Sequence, residues 1–173
     1  MSSVYYDTSK EHKKNTNNSY NFAFLTISDS RDKENDNTYI NSKSIIEKAG
    51  HKIIEYEIIK DNADKISQKI KEIIINSNVD IIITSGGTGI TKKDVTIEAV
   101  KPLFEKELIS FNTLFTNLSY GEIRTSAILS RATAGIINRK ILFCLPGSPR
   151  AVKLALEKII LKEIGHLKKH IGE

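Results

Sequence analysis

The sequence predicts a three-layer α/β/α domain on a mostly parallel β-sheet, with an antiparallel hairpin as a candidate edge. Three observations predict this fold. Short apolar runs alternate with segments of helical periodicity, the runs are continuous as in strands buried on both faces, and polar or Gly-rich turns follow them. Right-handed crossovers between parallel strands then place helices on both faces of the sheet. A chain of 173 residues fits one such domain.

The chain opens on a polar segment, so residues 1–20 are predicted to be a flexible leader before a single domain at 21–173. A segment of such low hydrophobicity has nothing to contribute to a core. The first strand is predicted at 22–27, which is a compact apolar run. A helix is predicted over 40–49, because Gly50 after it is a typical helix stop.

The next three elements continue the alternation. Residues 52–59 form an apolar-rich run of strand length, and isoleucines recur at helical spacing within 63–76. A run that begins at Val79 and is almost wholly apolar predicts a buried strand at 79–84.

Two helices are predicted in the more polar region that follows. The first covers 95–104, where Pro102 bends or ends it because proline lacks the N–H that a helix interior uses. The second covers 107–118.

The C-terminal third supplies the last strands and the longest helix. Residues 134–137 and 140–145 are apolar runs, and Asn138-Arg139 between them suits a tight hairpin, which would give the sheet an antiparallel edge. A helix is predicted at 149–170, with Ser148 as its N-cap and proline at its first position.

Composition restricts the classes of function. The net charge is +5, but the lysines of the last helix surround an apolar stripe without interleaved aromatic residues, which argues against nucleic-acid binding. No apolar run is long enough to cross a membrane and the start lacks a signal-peptide core, so no membrane association and a cytoplasmic location are expected. Cys144 lies in an apolar run, where buried packing is favoured over nucleophilic catalysis. The four histidines are scattered, so no zinc site is predicted.

The segment at 84–89, Thr-Ser-Gly-Gly-Thr-Gly, is the strongest functional signal. Its glycines allow a tight turn and the close approach of an anion, and free N–H groups there favour phosphate or carboxylate. Asp94 adds a carboxylate where a divalent cation would bridge to phosphate oxygens. An ordinary β–α turn is the alternative, and the position after a buried strand favours the anion site.

Polar groups also follow other predicted strands. Asp29 follows the first strand and Asp61 the second, so both are expected at the carboxyl edge of the sheet, where ligands bind. The helix start at Ser148 is a second candidate anion-binding end. Simpler roles stay open, with Asp29 as a turn residue bonded to its own backbone and Asp61 as a helix N-cap.

Two arginines suit phosphate through their planar guanidinium groups, namely Arg31 and Arg131. For Arg131, bracing of the neighbouring loop is nearly as good an interpretation. Glu122 is interpreted as a surface or bracing residue.

Seven short motifs stand in an order and spacing that resemble one family. They are LTISDSR (25–31), AGH (49–51), Asp61, TSGGTG (84–89), DVT (94–96), LSRATAG (129–135) and LPGSP (145–149). Over roughly residues 21–161 the chain thereby resembles the MoaB/Mog family of molybdenum cofactor biosynthesis proteins.

This resemblance implies that the protein binds molybdopterin and ATP with Mg²⁺, and that it adenylylates molybdopterin with release of pyrophosphate. It implies catalytic roles for Asp61 and Asp94, with Asp94 holding the metal ion. It also implies a homo-oligomer, either a trimer or a hexamer. The predicted substrate-binding positions include several of the groups named above. They are Ser28, Asp29, Ser30, Arg31, Ser85, Gly86, Gly87, Thr88, Gly89, Ser130, Arg131, Pro146, Gly147, Ser148 and Pro149.

Two other functions stay open, a pterin- or nucleotide-binding protein without turnover and a fold relative with other nucleotide chemistry, such as the related domain of competence-damage proteins. Departures from the family's pattern bear on this choice. Residues 36–39 replace a Thr-Ser-Gly-like turn, Thr113 and Thr116 stand where a Glu and an Arg are expected, and Arg124 replaces a glycine. If the missing Glu and Arg charges act in ligand binding or in subunit contacts, those contacts are expected to be altered.

Overall fold

Helices and strands alternate along the part of the chain that the computed structural model describes, residues 18–75 and 78–172. Most of the predicted leader lies outside these residues. The strands are β1 (Asn21–Ile27), β2 (Lys52–Ile59), β3 (Ile81–Ser85), β4 (Lys106–Glu107), β5 (Thr133–Ile137) and β6 (Lys140–Leu145). The α-helices are α1 (Asn37–Lys48), α2 (Ala63–Ile75), α3 (Thr96–Val100), α4 (Ile109–Ile123), α5 (Pro149–Ala155) and α6 (Leu161–Gly172).

The six strands form one mixed sheet in the order β2-β1-β3-β6-β5-β4. Strands β2, β1, β3 and β6 are parallel to one another, while β5 is antiparallel to both β6 and β4. The prediction of a mostly parallel sheet is confirmed. In the register of the sheet, Ser85 lies opposite Thr26 on one side and Leu145 on the other, so β1, β3 and β6 end at nearly the same level.

Side chains of the central strands alternate between two cores, one on each face of the sheet. Phe22 and Phe24 of β1 join a cluster with α1, α4, α5 and α6, whereas Ala23 and Leu25 join a cluster with α2 and α3. Successive strand residues point to opposite faces, so a strand buried on both faces must be apolar throughout. This is the physical origin of the three layers.

The predicted hairpin is present and makes one edge of the sheet antiparallel, with β4 as the outermost strand. Asn138 and Arg139 both have positive φ, 45° and 62°, as a two-residue turn between antiparallel strands requires. The edge is β4, and β6 lies inside the sheet between β3 and β5. Strand β4 falls at the start of the predicted 107–118 helix, and two residues are too few to leave a periodic pattern in the sequence.

Helix ends differ from the predicted ones. The helix predicted over 95–104 is α3 followed by a 3₁₀ turn at Lys101–Leu103 that contains Pro102. Helix α4 begins at Ile109 and continues to Ile123, beyond the predicted end at 118. A π-helical turn at Leu156–Ile160 separates α5 from α6 within the predicted terminal helix. Such turns are short and occur inside longer α-helices, so the sequence pattern does not reveal them.

Two further residues of interest, Tyr20 and Cys144, are buried in the fold. Tyr20, within the predicted leader, is buried, and its carbonyl accepts a hydrogen bond from the N–H of Lys52. Cys144 is fully buried, and that burial raises the pKa of its thiol to about 12, which suits packing rather than nucleophilic chemistry. Among the described helices, no stretch combines the length and the apolar character needed to cross a membrane.

Candidate functional site

The loops that follow β1, β2, β3 and β6 emerge at one edge of the sheet. The chain places β2 on one side of β1 and β3 on the other, so the strand order reverses between β1 and β3. Open α/β sheets bind ligands at the carboxyl ends of the strands beside such a reversal. Several residues predicted to contact substrate lie on these loops.

Gly86 and Gly87 allow the loop after β3 to press against its neighbours. Their φ angles are 112° and 62°, which side chains other than glycine's disfavour. A Cβ on Gly86 would lie 2.2 Å from the carbonyl oxygen of Ile27. A Cβ on Gly87 would lie 2.2 Å from Oγ1 of Thr96 and 2.9 Å from Oδ1 of Asp61. The glycine loop is therefore in direct contact with the end of β1 and with one predicted catalytic carboxylate.

The loop after β6 is joined to the same glycines. The N–H of Gly86 donates to the carbonyl of Leu145 at 3.0 Å, and Oγ of Ser85 lies 3.5 Å from the carbonyl oxygen of Pro146. A Cβ on Gly147 would lie 3.2 Å from Cα of Gly86. The two loops thus form one continuous surface.

Thr96, at the start of α3, holds the glycine loop in place through two hydrogen bonds. Its hydroxyl donates to the carbonyl of Gly86 and its N–H to the carbonyl of Gly87, both at 2.9 Å, and the side chain is fully buried. Sequence reasoning gave Thr96 no role, although it lies in the DVT motif at 94–96. A threonine soon after a Gly-rich turn is the signal that would have indicated it.

Asp61 faces this surface beside a second carboxylate. The backbone N–H of Asp61 donates to Oδ1 of Asp29 at 3.4 Å. Partial burial raises the pKa of the Asp61 carboxyl, and the nearby Asp29 and Asp94 charges raise it further. A group in such a position gains from a cation that neutralises the clustered charge.

Neighbouring residues take the two simpler roles considered for Asp61 and Asp29, namely the helix N-cap and the residue that closes the turn. The cap of α2 is Asn62, whose Oδ1 accepts from the N–H of Lys65 at 2.9 Å, so Asp61 is not the cap. The turn after β1 is closed by Ser28, whose Oγ accepts from the N–H groups of Ser30 and Arg31 at 3.2 Å. Asp29 is therefore not the residue that closes the turn.

Asp94 lies on the far side of the glycine loop. Its Oδ2 accepts from the N–H of Thr91 at 2.8 Å and from the hydroxyl of Thr91 at 2.6 Å. The Thr91 hydroxyl is the main cause of a lowered pKa for Asp94, so this carboxylate stays ionised at neutral pH. A Cβ on Gly89 would lie 2.8 Å from the same oxygen, and Lys93 reaches back to within 3.7 Å of Asp29.

Arg31 ties the loop after β1 to the loop after β6. Its Nη2 donates to the carbonyl of Gly147 at 2.8 Å and its Nη1 to the hydroxyl of Thr38 at 3.1 Å. Nη1 also lies 3.4 Å from Asp36, a fully buried carboxylate that sequence reasoning missed. Asp36 stands just before a helical pattern, where aspartate is a common N-cap of the helix, and this position could have indicated its role.

Arg131 forms contacts that brace the neighbouring glycine loop. Its Nε donates to the carbonyl of Thr88 at 2.9 Å, and its Nη1 pairs with Glu98 at 2.7 Å. The pKa of Glu98 is lowered chiefly by this hydrogen bond. The guanidinium group therefore holds the glycine loop to α3.

The remaining predicted positions have local roles in the fold. Oγ of Ser148 accepts from the N–H of Ala151 at 3.2 Å, which confirms it as the N-cap of α5. The N–H of Ser130 donates to the carbonyl of Ala127 at 3.0 Å. Glu122 pairs with Arg150 at 2.6 Å.

A separate cavity of about 450 Å³ contains no residue of the predicted site. It lies between the start of α4, β6 and the C-terminal helices, and it is lined mainly by apolar side chains, so it does not suit a phosphorylated ligand. Its principal lining residues are Leu108, Ile109, Phe111, Leu114, Phe143, Ile159, Ile160 and Leu167.

Known proteins resemble the chain in sequence and in fold. A family profile described as a probable molybdopterin binding domain matches residues 23–166. Molybdenum cofactor biosynthesis protein B of Bacillus cereus is 46% identical over 158 residues, which cover 91% of this chain and 94% of that protein. A crystal structure of a molybdenum cofactor biosynthesis protein B is 43% identical with a TM-score of 0.88, over 91% of this chain and 99% of that one. The tungsten cofactor synthesizing protein MoaB from Pyrococcus furiosus is 38% identical with a TM-score of 0.78, over 91% and 100%.

Proposed function

Because this chain belongs to the MoaB/Mog family and so to molybdenum cofactor biosynthesis, we propose that it adenylylates molybdopterin in the cytoplasm with Mg²⁺–ATP as the donor. In this reaction a terminal phosphate oxygen of molybdopterin forms a bond to the α-phosphorus of ATP. The bond between that phosphorus and the bridging oxygen breaks, and pyrophosphate leaves. The observation that supports it best is the contact of Gly86 and Gly87 with Asp61 and with the loop at Gly147.

Mg²⁺ fits the oxygen donors of this edge. Asp61 and Asp94 flank the glycine loop, and the pKa of Asp61 is raised first by burial and then by the charges of Asp29 and Asp94, which a cation would offset. The described residues hold no cluster of three or more ligating side chains. Mg²⁺ commonly takes only one or two carboxylates and completes its octahedron with waters and substrate phosphates, so two aspartates suffice. Bound there, the ion would neutralise charge on the transferring phosphate.

The chain's own groups act by position and charge. The backbone of the glycine loop would hold phosphate oxygens, with Thr96 fixing two of its carbonyls away from the ligand. Asp94, already ionised, would hold the metal ion, and Asp61 would share or orient it. A general base is not required, because the attacking phosphate is already largely ionised at neutral pH.

Binding without turnover is the second candidate. Arg31 and Arg131, which sequence reasoning assigned to phosphate, both donate to protein acceptors around the site. If they keep those partners when ligand binds, less positive charge faces the transferred phosphate, which weakens transition-state stabilisation more than ground-state binding.

The test is an assay with ATP, Mg²⁺ and molybdopterin in which adenylylated pterin and pyrophosphate are both measured. We expect Asp94→Ala to lower the rate by about a hundredfold or more while the protein stays folded. Asp64→Ala, an exposed aspartate in the first turn of α2, is the matched control and should keep full activity. Pterin binding without product from the wild-type protein would favour the second candidate. No pterin binding at all would favour a fold relative with other nucleotide chemistry.

We also propose a homo-oligomer, a trimer or a hexamer. Within the described part of the chain, most of the exposed large apolar residues lie on α4 and the 3₁₀ segment after it, including Ile109 and Ile128, which are 73% and 83% exposed. Concentrated exposed apolar surface marks association sites in proteins.

A further inference from the structure

The terminal helix brings together two histidines that look unrelated in the sequence. His166 and His170 are one turn apart on α6, and their Nε2 atoms are 3.0 Å from each other. Their ring centroids are 4.7 Å apart, with the ring planes inclined at 62°. The two Nε2 atoms thus lie within hydrogen-bonding distance of each other, where one proton or one metal ion can bridge them.

We propose that His166 and His170 form a two-nitrogen surface site for a divalent transition metal, with Cu²⁺ preferred to Ni²⁺ and Ni²⁺ to Zn²⁺. The nitrogen separation supports this order. With metal–nitrogen bonds of about 2.1 Å, a separation of 3.0 Å corresponds to an angle of roughly 90° at the metal. Square-planar and octahedral ions accept that angle, whereas a tetrahedral zinc site would need nitrogens about 3.4 Å apart.

The carboxylate of Glu163 lies next to the imidazole ring of His166, on the side away from His170. Oε2 of Glu163, one turn earlier on α6, lies 3.6 Å from Nδ1 of His166. Histidines that ligate metals commonly present their second ring nitrogen to a carboxylate, which fixes the tautomer and the ring orientation. Glu163 also supplies negative charge close to the metal position, against the positive charges of Lys162 and Lys169 on the same helix.

Water would complete the coordination sphere. No group of three or more ligating side chains occurs within the described ranges, so the site is proposed with two protein nitrogens from this helix. His166 borders a cavity of about 400 Å³ that also touches His51 and Gly50, and His170 is exposed to solvent. The site is independent of the adenylyl-transfer proposal, because none of its residues belongs to the candidate functional site.

The experiment is a titration of the full-length, tag-free chain with Cu²⁺, Ni²⁺ and Zn²⁺ salts, followed by calorimetry and, for Cu²⁺, by electron paramagnetic resonance. We expect one strong Cu²⁺ site per chain with the hyperfine pattern of two nitrogen ligands. Loss of one arm of a chelate removes the intramolecular advantage of the second, so His166→Asn and His170→Asn should each weaken binding by about a hundredfold. Glu163→Gln should weaken it by about tenfold.

The controls separate this site from other histidines. His12→Asn and Lys169→Gln should leave Cu²⁺ binding unchanged, and thermal unfolding should show that every variant is folded. Equal binding by the wild-type protein and the His166→Asn/His170→Asn double variant would overturn the proposal. So would loss of the site in His12→Asn, or tighter binding of Zn²⁺ than of Cu²⁺.

Discussion

At the scale of single residues, Asp61 is held where the folded protein disfavours its charge. Burial and the neighbouring Asp29 raise the pKa of Asp61 above its ordinary value of 3.8. A raised folded-state pKa means that folding favours the protonated form. The stabilisation from Asp61 is therefore complete below the unfolded pKa and is lost as the pH rises through the folded pKa. At neutral pH the ionised carboxylate therefore opposes folding.

Asp61→Asn should stabilise the ligand-free protein and abolish the proposed adenylyl transfer. We expect its melting temperature to rise by about 1–3 °C at pH 7, and the gain to shrink as the pH falls toward the unfolded pKa of 3.8, below which the wild-type carboxyl becomes protonated in both states. Thermal unfolding between pH 3.5 and 8 measures this, with Asp64→Asn as the exposed control. A lower melting temperature at pH 7 would mean that the charge of Asp61 stabilises the fold.

At the scale of elements, the start of α1 organises the loops around the site. Asp36 is fully buried, and its carboxylate accepts from the N–H of Tyr39 and from the hydroxyls of Thr26 and Tyr56. It therefore caps α1, joins that helix to β1 and β2, and lies beside Arg31. The pKa of the Tyr56 phenol is raised by burial and by the hydrogen bond to Asp36, so the phenol remains a donor at any physiological pH.

Asp36→Asn should destabilise the protein and loosen the loop after β6. The amide of the variant keeps one oxygen that can accept a hydrogen bond, but its N–H groups face groups that are themselves donors. We therefore expect a loss of about 2 kcal/mol in the free energy of unfolding. Denaturant titration measures the loss, and Glu34→Gln on the exposed turn nearby is the control. Ligand binding should also weaken, because Arg31 positions Gly147. A variant as stable as the wild-type protein would show that this cluster is dispensable.

At the scale of the whole molecule, the distribution of apolar surface is uneven. Ile128 is 83% exposed in the segment after α4, where other large apolar residues are also exposed. Ile75, at the end of α2, is exposed to the same extent but lies on the other layer of the fold. Two residues of the same type and exposure thus allow a matched comparison.

Ile128→Asp should dissociate the proposed oligomer, whereas Ile75→Asp should not. A charge buried at a subunit interface without a partner is strongly unfavourable, while a charge on a free surface is not. Light scattering after size-exclusion chromatography gives the mass of each variant. A monomeric wild-type protein, or an unchanged mass for Ile128→Asp, would refute the proposed interface.

The central strands, the two faces of the sheet and the loops that carry polar groups could all be predicted from the sequence. These features depend on local periodicity and on residue type, as the two-sided burial of β1 and the cap at Ser148 show. Helix and strand ends were less predictable, because β4 and the π-helical turn depend on pairing and packing with distant residues.

The contacts between polar groups depend on the folded arrangement of the chain. Asp36 contacts Arg31 and Tyr56, Asp61 lies against Gly87, and Asn62 rather than Asp61 caps α2. The partner of a side chain is set by strand order and register, and pairs such as Arg31 and Gly147 are more than a hundred residues apart in the chain. Sequence patterns indicate which residue types are available, while the fold determines the distances that decide between a ligand contact and a structural one.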